Sequence, residues 1–249
     1  IPRNDRRLVT MRFPILLAFL ACIAGASAFA GQFSVTPVRI FMLPKERAAA
    51  ITVTNEGDEE LVMQADIFTW KQKADGGDDL ELSEDLILSP PIIKLAPHAR
   101  QVVRLAVLKP QAAPPAQRTY RMIVREVPEA RAADKAVQVQ IALAFSLPVF
   151  ITPPDAKRDL ACSIERVAGD AVRANCENAG RAYAQARSLD LLAADGRKIA
   201  TRETGGYILP GIKRGFDLKG TAAIPAGGAR LQVQLDDGTS QTFDVAVAE

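Results

Sequence analysis

The 249-residue chain is poor in the residues that most catalytic sites require. It has a single histidine, His98, set in Leu95-Ala96-Pro97-His98-Ala99, which reads as a surface turn. With no Gly-x-Ser-x-Gly to accompany it, a Ser-His-Asp site lacks its parts. No Walker loop and no Gly-x-Gly-x-x-Gly after a strand is present, so no phosphate cradle is expected. Aromatics make up 6% of the chain, too few to build a sugar-stacking cleft around a pair of carboxylates. Charge is nearly balanced, 31 Lys and Arg against 29 Asp and Glu, which gives no reason to expect nucleic acid as a partner. The acidic run Asp75, Asp78, Asp79, Glu81 lacks the spacing of a helix–loop–helix calcium site and reads as a solvated hairpin tip. No amphipathic helix is evident. The expectation is a non-enzyme with no cofactor and no metal.

A long hydrophobic run is also missing. The most apolar stretch, within Phe13 to Ile23, is about ten residues, short of the roughly twenty that span a bilayer. Preceded by Met11-Arg12 and followed by Gly25-Ala26-Ser27-Ala28-Phe29-Ala30, it has the layout of a secretory signal peptide. Residues 1–30 are therefore read as an upstream extension and signal peptide, cleaved after Ala30. An uncleaved anchor, or lipidation at Cys22 in Leu20-Ala21-Cys22, are the alternatives. Of the three cysteines, Cys162 and Cys176 then remain. They lie in alternating segments on either side of Gly169-Asp170, a hairpin turn signal, and suit a cross-strand disulfide in an oxidising compartment. Closing a loop of about fifteen residues is worth roughly 3 kcal/mol in the chain-entropy model. Two buried thiols are the alternative; zinc lacks further ligands.

Strand patterns are abundant. Phe33–Ile40, Ala49–Thr54, Leu61–Trp70, Val102–Val107 and Tyr120–Val127 all read as strands, separated by turn signals such as Asn55-Glu56-Gly57-Asp58. Val137 to Phe145 has the sharpest period: Val137, Val139, Ile141, Leu143 and Phe145 fall on one face, with Gln138, Gln140, Ala142 and Ala144 on the other. Pro153-Pro154 marks a stiff linker. Beyond it, Leu231–Leu235 against Phe243–Val247 reads as a hairpin. The reading is all-β: two immunoglobulin-like β-sandwich domains, residues 31–152 and 155–249.

The order of segments resembles the PapD-like periplasmic chaperones of chaperone–usher pilus assembly. The matching pieces are Val35-Thr36-Pro37-Val38-Arg39, Val53-Thr54-Asn55, Ser89 through Pro97, Gln101 through Leu105, Tyr120 through Pro128, and Gln140-Ile141-Ala142-Leu143 running on to Pro153. In the second half, Asn178-Ala179-Gly180, Asp195-Gly196 and Tyr207 through Gly211, with Arg214 and Phe216, look like the branch outside the P and type 1 pilus systems. The resemblance implies an L- or boomerang-shaped pair of domains in the periplasm. It implies pilus subunits and an outer-membrane usher as partners, and self-association or loop cover when free. It assigns Val137, Val139, Ile141 and Leu143 to a strand lent to an incomplete subunit, and leaves Phe145 and Val149 to the domain's own core. Arg39 matches the arginine that grips the subunit's terminal carboxylate. The family's second grip, a lysine, falls on Pro148 here, and Lys109, Arg125, Lys213 and Arg214 remain open as substitutes. The short loop Glu129 to Lys135 resembles the short-loop class. Pro90-Pro91 falls where the family has a cis bond. Glu126 matches a member of a domain-orienting ion-pair network, but the partner arginine's position is Thr152. A secreted β-sandwich that binds a ligand through its loops is the competing reading.

Overall fold

The computed structural model describes residues 32–73, 75–110, 114–127 and 142–249. The expected signal peptide, the lending-strand residues Val137, Val139 and Ile141, and the short loop all lie outside them. The described strands are β1 (Phe33–Thr36), β2 (Ile40–Met42), β3 (Ala48–Asn55), β4 (Leu61–Gln72), β5 (Asp78–Leu82), β6 (Leu86–Ser89), β7 (Ile92–Leu95), β8 (Arg100–Val107), β9 (Arg118–Glu126) and β10 (Ala144–Ile151). After the linker come β11 (Leu160–Ala168), β12 (Ala171–Asn178), β13 (Ala184–Ala193), β14 (Lys198–Arg202), β15 (Gly206–Ile208), β16 (Lys213–Lys219), β17 (Gly227–Leu235) and β18 (Ser240–Val247).

The first ten strands make two facing sheets. One runs β1-β3-β8-β6; the other runs β2-β10-β9-β4-β5, with β7 also on β4. Period-two alternation supplies the core between them. Along β3, Ile51, Val53 and Asn55 are buried while Thr52 and Thr54 look outward, and β4 places Met63, Ala65 and Ile67 in the same core. Phe33 to Ile40 is not one strand. Proline offers no amide donor, and the ladder stops at Pro37. The chain then changes sheets: β1 pairs antiparallel with β3, whereas β2 pairs parallel with β10, Ile40 opposite Val149. Arg39 sits at this switch. Among the described residues the cis bonds are Thr36–Pro37 and Ser89–Pro90; the bond between Pro90 and Pro91 is not among them.

The second half has one continuous hydrogen-bonded sheet, β11-β12-β16-β14-β13-β17-β18, with β15 on β13. The ladder between its two leaves has the single pair Thr201–Lys219, and they enclose Val172, Leu189, Leu191, Phe216, Leu231 and Val233. The Cys162–Cys176 disulfide is formed between directly paired residues of β11 and β12. Each half also buries one asparagine just past a strand's last apolar residue. Asn55 Nδ2 donates to the carbonyls of Glu59, Leu95 and Ala96, and Asn178 Nδ2 to those of Ala182 and Ile208. Both side-chain oxygens accept a backbone N–H two residues on, so these buried amides are satisfied.

Between the halves lies a third cluster, Trp70, Phe150 and Leu209, with Tyr183, Tyr207 and Ile212 packed on it. Phe150 stacks on Tyr183 at 4.2 Å. Two glutamines fasten the seam. Gln72 donates to the Tyr207 carbonyl at 3.1 Å and accepts from the Leu209 amide at 2.9 Å. Gln117 accepts from the Tyr183 amide at 2.9 Å and donates to the Thr152 hydroxyl at 2.6 Å. Thr152, which stands where the resemblance expects an arginine, thus serves the interface through a neutral bond. Glu126 meets the amide of Leu143 instead, at 3.4 Å.

Candidate functional site

One strand is only half covered. β9 pairs with β10 along its whole length, from Ala144 opposite Arg125 to Ile151 opposite Arg118. On the other side β2 reaches only Val149 to Ile151. Ala144 through Pro148 therefore has no strand on that side among the described residues, which leaves a free edge. Pro148 cannot donate from it. Leu143, just upstream, is half-buried against the N-terminal core, and its carbonyl accepts from the Glu126 amide at 2.9 Å. Val149 is buried in that core, but Phe145 is 40% exposed and meets Phe33 edge to face at 4.7 Å. The expectation that Phe145 is core is thus corrected: its ring meets Phe33 of β1, the outermost strand of the opposing sheet, and stays partly exposed.

The free edge leads to a cleft between the two halves. Arg39 Nη1 donates to Asp236 Oδ2 at 2.6 Å and to Gln185 Oε1 at 3.2 Å. Tyr183 donates its hydroxyl to the same Asp236 oxygen at 3.1 Å. Burial alone would lower the Arg39 pKa; the bond to Asp236 and the charge interactions with Tyr207, Tyr183 and Asp236 together outweigh it, and the guanidinium is held charged above its ordinary value. Burial first, and Asp236 second, push the Tyr183 phenol up to about 12. Tyr207 is also raised by burial, against the pull of the Arg39 and Arg121 charges. Arg121 lies under this site with its Cζ 3.7 Å from the Trp70 ring centroid, and burial lowers its pKa. Alongside opens a cavity of about 750 Å³ lined by Phe41, Leu43, Gln117, Lys157, Tyr183 and Gln241. Phe41 is 57% exposed, although it stacks on Phe150.

Three of the four cations considered as substitutes at Pro148 are engaged elsewhere. Lys109 faces Glu84 and Asp85, and Arg125 is bonded to Asp66. Arg214 donates to the Tyr207 carbonyl at 2.8 Å, and Lys213 stands opposite Glu177 on β12. The acidic tip is likewise occupied by its own neighbours: Asp75 caps the Gly77 amide, Asp78 accepts from the Trp70 indole, and Glu81 pairs with Lys71. Among the described residues no group of three or more His, Cys, Asp or Glu side chains could hold a metal ion. His98 is on the surface beside Asp58, at 3.0 Å.

Residues 32–157 match the model for the N-terminal domain of PapD, the pili and flagellar-assembly chaperones. The chain belongs to this family of chaperones. It is no enzyme: the family acts by assembly and not by chemistry. Its fold is similar to that in the Acinetobacter baumannii CsuC–CsuE chaperone–tip adhesion subunit complex of archaic Csu pili, at 19% identity, covering 88% of this chain and 100% of that one with a TM-score of 0.64. It is also similar to the E. coli chaperone DraB, at 18% identity over 88% and 96% of the two chains with a TM-score of 0.57. The Pseudomonas aeruginosa CupB2 chaperone matches at 18% identity over 86% and 100%, TM-score 0.56. No curated protein sequence matches the chain.

For this chaperone, sequence reasoning singled out Arg39 but not the residues gathered around it, Asp236, Gln185, Tyr183, Tyr207 and Arg121. The first four come from the second domain, and no period or spacing links them to Arg39. Arg121 had a usable signal: it is an outward position on a strand whose alternate residues Tyr120, Met122 and Val124 are core.

Proposed function

We propose that this chaperone works in the periplasm after removal of residues 1–30, with domains at 31–152 and 155–249. It captures pilus subunits by donor-strand complementation and passes them to an outer-membrane usher. The observation that carries the reading is the open edge at Ala144 to Pro148. In the sequence just before it, Val137, Val139, Ile141 and Leu143 form the alternating row that this reading extends into a subunit groove. Four such side chains, once buried, would contribute roughly 6–12 kcal/mol before ordering costs, enough for capture without a nucleotide. A likeness to a chaperone solved with a tip adhesion subunit supports the same partner class. Arg39 at the cleft grips the subunit's terminal carboxylate through its two-pronged donor fork. When no subunit is bound, self-association or the loop before β10 shields the edge.

The test is recovery of periplasmic subunits on a tagged chaperone. Leu143→Asp and Ile141→Asp should fold, with wild-type circular dichroism and melting, and recover no subunit. Arg39→Ala should weaken recovery. Full recovery with both aspartate variants would refute strand lending, and full recovery with Arg39→Ala would refute the carboxylate grip.

A further inference from the structure

The change of sheet at Pro37 opens the flank of the first sandwich in both sheets. β2 covers only part of β10, which leaves the edge at Ala144 to Pro148. The second opening is in the facing sheet. β8 pairs with β3 from Ala48 to Thr54, but β1, on the other side, reaches only Thr52 to Asn55. Ala48 through Ile51 therefore has no strand on that side among the described residues. The gap begins where β1 ends, at the Thr36–Thr52 pair, and runs to the first residue of β3.

Parity decides which backbone groups face this gap. The Asn55 amide donates to the Ala99 carbonyl, on the β8 side, and the Glu56 amide donates to the Gln32 carbonyl, on the β1 side. The amide and carbonyl of one strand residue point the same way, so the even-numbered residues of β3 turn both groups toward β1. The Arg47 carbonyl, which accepts the Val107 amide from the β8 side, agrees. Thr52 and Thr54 meet β1; Ala48 and Ala50 direct their amides and carbonyls into the gap, where no described strand receives them. Such an edge is a template for a further strand.

The side chains leave room for one. Ala48 and Ala50 are exposed, while Ala49 turns inward against the core. A cavity of about 240 Å³ lies over them, walled by Val102 and Arg104 of β8. Arg104 is the register partner of Ala50 and is exposed. Its side chain has no ion pair or hydrogen bond among the described residues, and the same holds for Lys45 and Arg47 in the turn before β3. Glu46, the acid of that turn, is folded back to accept the Leu43 amide at 2.6 Å. The gap is thus basic. A second copy added edge to edge would set these cations against their own images, which disfavours self-pairing. A strand added here would lie about 10 Å from β8, a span that a glutamate and Arg104 cover together once only a methyl group stands between them.

We propose that Ala48–Ile51 is a strand-addition site for a short extended acidic segment of another protein, laid antiparallel to β3 and in line with β1. The segment's main chain pairs with Ala48 and Ala50, its apolar side chains follow the inward parity of Ala49 and Ile51, and a carboxylate opposite Ala50 reaches over the methyl to Arg104. The site is separate from the β10 edge and does not depend on strand lending there.

The probe is acetyl-Thr-Glu-Val-Glu-Val-Thr-amide, whose glutamates fall opposite Ala50 and Ala48; its control carries glutamine at both places. Calorimetry reads affinity, and shifts of the Ala48 and Ala50 amide resonances read location. Wild type should bind the glutamate peptide about fivefold more tightly than the glutamine peptide, a preference that shrinks as salt is raised. Arg104→Gln should remove most of that preference. N-methylation of both glutamates, whose amides would face β3, should abolish binding, whereas N-methylation of both valines, whose amides would face solvent, should change it by less than about twofold. Ala50→Pro should abolish binding too, and its fold should hold because the lost N–H belongs to no ladder. Binding that survives Ala50→Pro or glutamate N-methylation overturns strand addition, and equal affinity for the two peptides overturns the acidic partner. Shifts at Ser146 in place of Ala48 and Ala50 put the peptide on the β10 edge and overturn the site. Shifts at Ala48 and Ala50 that grow with protein concentration alone assign the gap to a second copy and overturn the proposal. If Ala50→Pro melts early, the two N-methylated peptides decide.

Discussion

Asp236→Asn separates two roles that the Arg39 ion pair combines. In the free chaperone Asp236 presents a carboxylate to Arg39, the residue that the proposed grip assigns to a subunit's terminus. Its side chain is 11% exposed, that of Arg39 is 31%, and the N–O distance is 2.6 Å. The pair therefore lies between open surface pairs, worth about 0–1 kcal/mol, and enclosed pairs, whose disruption costs about 3–5 kcal/mol. Asparagine keeps the volume and still accepts one of the bonds from Arg39 and Tyr183, so the expected loss of stability is about 1–2 kcal/mol. Capture should move the other way. An incoming carboxylate no longer has to displace Asp236, and its affinity should rise about three- to tenfold, or roughly 0.7–1.4 kcal/mol. Urea unfolding followed by Trp70 emission measures the first effect. Titration with a nonapeptide of alternating valine and threonine that ends in a free carboxylate, and with the same peptide amidated, measures the second. If Asp236→Asn binds the acid more weakly than wild type does, Asp236 orients Arg39 and does not compete with the ligand, and the reasoning fails.

Phe150→Ala should cost about 3–5 kcal/mol, because the ring is fully buried against Trp70, Tyr183 and Tyr207. The loss falls between the domains, so circular dichroism and Trp70 fluorescence should give separated urea transitions; coincident, unshifted transitions would contradict the assigned role of this cluster. Alkaline pH should loosen the same seam. Tyr183 holds its proton more tightly folded, with a pKa of about 12 against an ordinary value near 10. Its contribution is complete below about pH 10 and disappears as pH rises toward 12. After discounting for half exposure, it amounts to about 1–2 kcal/mol. Burial raises Tyr120 and Tyr207 too, so Tyr183→Phe should flatten the fall in stability over that range without abolishing it; an unchanged slope would exclude Tyr183 as a contributor.

Strand parity was legible wherever one face is core. The β4, β8, β9, β11 and β12 segments follow their alternation closely, since period-two burial is written directly in residue type. The break at Pro37 was visible as a proline but not as a change of sheet, because which ladder the chain joins next depends on a partner more than a hundred residues away, Val149. Phe145 misled for a related reason. Alternation gives its face, while its exposure depends on how far the opposite sheet extends.

By itself, the sequence determined the all-β class and set Cys162 and Cys176 on the two arms of one hairpin. Both follow from local period, turn chemistry and residue inventory. The tertiary structure alone decided what Arg39 faces. Asp236 and Gln185 reach it from a separate domain, and the Trp70–Phe150–Leu209 seam sets how that domain is presented. It alone placed Arg121 beside Pro148, since cross-strand neighbours are fixed by register, a property of two segments together.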